Sequence, residues 1–163
     1  MPTRLLVATA VAVGLALTAV PPAYAQSPGP APFVGRWHWN RAASTSLVSD
    51  LAPQDVVLAI AAAAPGRVQW TLTALDGKGG AHLQSFSGRG DGTAAQIAGA
   101  PDGAMAAFTV TPTVFRGVYS NRDGSSERTS CTVAADGRKM TCDGTEIDAK
   151  GRTRDYIDVY DRK

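Results

Sequence analysis

The chain has 163 residues, enough for one domain with one core, and its 16 Lys and Arg against 14 Asp and Glu give a formal charge of +2. That near balance gives no electrostatic case for nucleic acid or an anionic membrane as partner. Only one long uncharged run exists, at the N-terminus, so no helical membrane span is expected in the rest of the chain.

Residues 1–25 read as a secretory signal peptide. Arg4 supplies the positive charge, Leu5 to Val20 are uncharged, Pro21-Pro22 break the run, and Ala23-Tyr24-Ala25 fits a small-x-small cleavage site before Gln26. The processed chain is therefore expected to be periplasmic or secreted. No cysteine follows the run, so there is no acceptor for a lipoprotein lipid. Residues 26–32 form a Pro-rich tether with little to bury. Residues 33–163 form the folded domain.

Within that domain the dominant feature is turn chemistry at regular spacing. Asp-Gly pairs stand at Asp76-Gly77, Asp91-Gly92, Asp102-Gly103, Asp123-Gly124, Asp136-Gly137 and Asp143-Gly144, with Pro65-Gly66 and Lys150-Gly151 between them. The intervals hold short strands and leave no room for the helices of a βαβ unit. Ten candidate strands result: 33–40, 55–62, 67–75, 81–88, 93–98, 104–110, 114–121, 126–134, 138–147 and 153–161. Alternation puts Trp37 and Trp39 on one face of the first strand. It does the same for Val56, Leu58 and Ile60, for Val68, Trp70 and Leu72, and for Ala106, Phe108 and Val110, with Ile157 and Val159 on the last. Between 41 and 54, Leu47, Val48 and Leu51 fit one helical turn at a barrel mouth. The fold class is all-β: an up-and-down antiparallel meander barrel of eight to ten strands, closed so that no edge is exposed.

Asp136-Gly137 is a two-residue hairpin signal. Pairing Ala135 with Arg138 puts Cys131 opposite Cys142 and Val133 opposite Met140 on the same face. A disulfide between Cys131 and Cys142 is expected to staple this hairpin in an oxidising compartment. On this count the cysteines occupy a hydrogen-bonded pair.

Phe33-Val34-Gly35-Arg36-Trp37 sets a Gly-x-Trp opening on the first strand. With Asn40 to Ser44, the repeated strand–Asp-Gly–strand units and the closing Val159-Tyr160-Asp161, the chain resembles the lipocalins, and in particular small exported bacterial lipocalin-like proteins of calycin type. The Thr-Asp-Tyr of the second lipocalin motif has no counterpart; Asp155-Tyr156 follows Arg154 on the last strand. The resemblance implies structural roles for Gly35 and Trp37, with Trp37 packed across the closed end. It also implies a small apolar ligand inside the barrel. The expected lining is Trp39, Leu58, Trp70, Leu72, Phe108 and Phe115, the alternative for each being plain core.

Catalysis finds no motif. There is no Gly-x-Ser-x-Gly elbow, and His38 and His82 fall at surface positions without a nucleophile in a local signature. Two cysteines and two histidines do not come at metal-ligand spacing, so no metal or other cofactor is expected. Arg89-Gly90-Asp91 reads as a turn. The expected function is binding: of a small hydrophobic ligand or, alternatively, of a periplasmic protein through the loops, as in a lysozyme or protease inhibitor.

Overall fold

The computed structural model describes residues 31–45, 53–100 and 103–163. Ten strands follow one another: β1 (Gly35–Trp39), β2 (Asp55–Ala64), β3 (Arg67–Leu75), β4 (Ala81–Gly88), β5 (Asp91–Gln96), β6 (Met105–Val110), β7 (Phe115–Ser120), β8 (Ser126–Val133), β9 (Lys139–Ile147) and β10 (Thr153–Arg162). All form one antiparallel sheet in the order β4-β3-β2-β1-β10-β9-β8-β7-β6-β5. The first and last strands pair, with Trp37 opposite Arg162 and Trp39 opposite Tyr160. Between β4 and β5 the ladder shrinks to one bridge, where Ser85 and Ala98 exchange two backbone hydrogen bonds of 2.9 Å. The result is a nearly closed ten-stranded barrel, at the upper end of the expected eight to ten. The expected signal peptide and the helical turn on Leu47, Val48 and Leu51 lie outside the described residues.

Turn aspartates do what their side chains allow. Asp76 Oδ1 accepts from the N–H of Lys78 at 2.8 Å and of Gly80 at 2.7 Å, and Asp148 Oδ1 accepts from Lys150 and Arg152 at 2.9 Å each. Those backbone donors hold both carboxyls below the usual range. Arg89 and Asp91 pair with each other, and the buried Gly90 N–H donates to Pro65 O at 2.8 Å, so that tripeptide is a tight loop. Asp143-Gly144, however, is not a turn: it lies in the middle of β9.

The inward rows hold the core. Trp37, Val68 and Phe108 are fully buried, and Ile60, Phe86, Ala106 and Met140 nearly so. On β10 the parity is opposite to expectation. Tyr156, Asp158 and Tyr160 face inward, while Ile157 is exposed. Val159 points outward yet is buried, because the chain after β1 continues along β10. Asn40 N donates to Val159 O at 2.7 Å, Val159 N to Ser44 Oγ at 3.0 Å, and Thr45 N to Ile157 O at 2.7 Å. A single 3-10 turn, Arg41–Ala43, interrupts this run, its first carbonyls and N–H groups organised by Asn40, whose Oδ1 accepts from Ala43 N at 3.1 Å.

The β8–β9 hairpin keeps the expected register but by a different loop. Cys131 faces Cys142 and Val133 faces Met140. Ala134 N donates to Lys139 O at 2.8 Å, and Gly137 N to Ala134 O at 2.8 Å, with Gly137 at φ 71°. The loop therefore spans 135–138 rather than two residues. Two-residue and four-residue loops preserve the same facing pairs, but the ladder pattern changes. The hydrogen bond at 134/139 makes that pair the hydrogen-bonded one, and alternation from there makes 131/142 a close, non-hydrogen-bonded pair. The disulfide forms there, with S–S 2.06 Å and Cα atoms 3.9 Å apart. Bridges of this type persist in oxidising compartments. Replacing both cysteines by serine is expected to lower the unfolding free energy by about 2–3 kcal/mol. Urea denaturation with and without reductant measures it, and coincident midpoints would refute it.

One end of the barrel is sealed by Trp37 and Arg162. The Trp37 indole N–H donates to Phe33 O at 2.8 Å, and the Arg162 guanidinium lies 4.1 Å over the indole. That guanidinium also donates to three main-chain carbonyls: Val34 O at 2.8 Å, Pro32 O and Gly137 O. It fits because position 35 has no side chain; a Cβ on Gly35 would stand 2.5 Å from Arg162 Nη1.

Candidate interior binding site

Above this seal a layer of rings crosses the barrel. Phe108 lies 4.7 Å from Phe86, 5.1 Å from Phe115, 5.7 Å from Tyr119 and 6.1 Å from Trp70, centroid to centroid. Beyond the layer the interior opens out. A cavity of about 520 Å³ extends to Asn121 and Asp123 in the β7–β8 turn and to Glu146 near the end of β9. This is within the size range of small-molecule sites.

Five of the six residues expected to line the interior are on its wall: Trp39, Leu58, Trp70, Leu72 and Phe115. The sixth, Phe108, is placed behind the wall. It has no exposed surface and is enclosed by the four rings just named. Trp37 is likewise sealed beneath the cavity, and Gly35 accommodates Arg162. Cys131 and Cys142 contribute one patch of wall through their disulfide.

The opposite side of the cavity is polar. Glu127 on β8, Glu146 on β9, Asp158 on β10 and Asp123 in the β7–β8 turn all reach it, together with Tyr119, Tyr156 and Tyr160. The Tyr156 hydroxyl donates to Glu127 Oε1. Tyr156 reaches across β9 from β10 to β8, which is possible because it lies flat over Gly144, its partner in the ladder; a Cβ there would sit 2.1 Å from Tyr156 Cζ. Trp39 Nε1 donates to Asp158 Oδ1 at 2.9 Å. Arg154 pairs with Glu146 at the rim. The wall itself carries no lysine, arginine or histidine among the described residues.

Burial, reinforced by the charges of Glu146 and Asp158, pushes the Glu127 carboxyl above the usual range, and the Tyr156 hydrogen bond opposes this only in part. Burial also pushes the Tyr119, Tyr156 and Tyr160 hydroxyls up, so all three stay protonated. The folded protein thus keeps a proton on Glu127 at a pH where the unfolded chain has released it. Stability from this group is greatest at acid pH and falls as pH rises from about 4.5 through the raised folded value. Glu127→Gln is expected to remove that fall. Urea unfolding of both proteins across pH 4 to 8 checks the difference; parallel curves would refute it.

Sequence reasoning placed Tyr156, Asp158 and Tyr160 on the outer face and did not single out Glu127. For Glu127 the sequence holds a signal, its parity with Cys131 along β8; for Tyr160 the deciding fact is the β1–β10 register opposite inward Trp39, which only the structure gives.

The fold is a nearly closed, ten-stranded antiparallel up-and-down β-barrel with an aromatic interior. No protein-family model matches the sequence, and neither does any curated protein. Among solved structures, the chain is similar to the wild-type fluorescent protein UnaG, with a TM-score of 0.55 and 12% sequence identity over 80% of this chain and 97% of that one. At that identity the likeness is one of fold.

Proposed function

We propose that the protein is an exported binding protein that takes up a small apolar molecule inside the barrel. On this reading residues 1–25 direct export and are removed, and residues 33–163 are the binding domain. The observation that carries it is the 520 Å³ cavity walled by Trp39, Leu58, Trp70, Leu72 and Phe115. A core meant only for stability packs to crystal-like density and leaves few voids larger than a water molecule. The polar groups on the cavity wall are few and lie on one side, the arrangement that fixes a ligand's orientation.

Titration with N-phenyl-1-naphthylamine, a neutral apolar fluorophore, tests the reading. Saturable fluorescence enhancement is expected, with uptake weakened by Leu72→Trp, which adds bulk to the wall. Absence of enhancement, or enhancement indifferent to Leu72→Trp in a folded variant, would count against interior binding.

A further inference from the structure

We propose that the molecule held in this cavity is an amphipathic amine, its protonated nitrogen lodged between Glu127, Asp158 and Tyr160 and its apolar body against Trp70, Leu72 and Phe115; the proposal rests on the interior-binding reading above. Three observations converge. First, the cavity wall is acidic on one side only: carboxyls from β8, β9, β10 and the β7–β8 turn meet there, and no cationic side chain lines the wall among the described residues. Arg154 engages Glu146 at the rim and leaves the deeper Glu127 with the Tyr156 hydroxyl as its hydrogen-bond partner. A buried carboxylate without a cation is costly, and a ligand cation relieves that cost.

Second, Tyr160 is only 9% exposed and lines the cavity, yet its hydroxyl has no hydrogen-bond partner among the described residues. Tyr160 borders the space that a ligand N–H would enter. Asp158 and Glu127 act electrostatically on this same hydroxyl, so the donor it awaits is one that two carboxyls also attract. Third, Trp39, Trp70, Tyr119 and Tyr160 line the wall, and indole and phenol rings attract cations rather than anions. A carboxylate-headed ligand meets the reverse: repulsion from the acidic groups at the polar side and, among the described residues, no cation on the wall, the Arg154 guanidinium at the rim being engaged by Glu146.

The test is displacement of N-phenyl-1-naphthylamine from the full chain by three molecules with the same tail: decylammonium, decanol and decanoate, in phosphate buffer at neutral pH. Decylammonium is expected to displace the dye at a concentration about tenfold below decanol, with decanoate the weakest. Glu127→Gln and Asp158→Asn each narrow the decylammonium-to-decanol ratio, and either variant serves if the other does not fold. Decanoate or decanol competing as well as decylammonium overturns the proposal, as does an unchanged ratio in the folded variants. Dye uptake with the wrong head-group order rejects the amine alone; failure of dye and all three competitors to bind rejects interior binding itself.

Discussion

Arg162→Ala is expected to lower the unfolding free energy by about 3–4 kcal/mol, since it strands several half-buried carbonyls that a charged donor satisfied. The guanidinium bonds the carbonyls of Pro32, Val34 and Gly137 and stacks on Trp37, so it binds the N-terminal segment, the β8–β9 loop and the last strand to one another. Arg162→Lys does not rescue it, because a single ammonium cannot serve three divergent acceptors and cover an indole at once. Gly35→Ala weakens the same point from the other side, by driving a methyl to within 2.5 Å of the guanidinium. Urea denaturation of the three variants measures these effects. A loss below about 1 kcal/mol for Arg162→Ala would show that water replaces the guanidinium without penalty.

Phe108→Ala is the second large effect, a loss of about 3–5 kcal/mol. Phe108 has no exposed surface and stands among Trp70, Phe86, Phe115 and Tyr119. Its removal leaves a hole that strand backbones on either side cannot close, because their ladders fix their separation. The Trp70 ring, which meets Phe108 edge-on, loses a neighbour, so tryptophan fluorescence shifts along with stability. The same hole adjoins the cavity. Dye uptake by this variant is expected to persist, in contrast to Leu72→Trp, which separates the layer's structural part from the wall's binding part.

Much of this architecture was readable from residue order. Turn chemistry located most of the connections between strands, the long β1–β2 connection excepted, well enough to count ten strands, because Asp and Gly stand where backbone geometry demands them. Asp143-Gly144 shows the limit of that rule: the glycine is there so that the Tyr156 ring can cross β9, a packing reason that has the same two letters as a turn. The β8–β9 register followed from parity, which is blind to whether the loop holds two or four residues, and so the cysteine pair was correct while its ladder type was not. On β10 both rows contain apolar residues. The outward Val159 is buried only because the Asn40–Thr45 segment lies on it, a tertiary fact that period two cannot express. For the site, parity said which side chains turn inward but not at what height along the axis, which is why Phe108 was grouped with Trp70 and Leu72. Arg162 left no pattern at all, because its partners are main-chain oxygens, which every residue has.

The pairing of β1 with β10 has a consequence for how the chain reaches its native state. The seam joins the segments most distant in sequence, and Arg162 locks it by reaching back to Pro32 and Val34. Local hairpins close short loops, whereas this contact closes the longest one and carries the largest loop-closure entropy. Until β10 emerges, β1 remains an unsatisfied edge and the interior stays open to solvent. The enclosed cavity therefore comes into being only with the last strand, so a chain cut before β10 has the hairpins but no interior to fill.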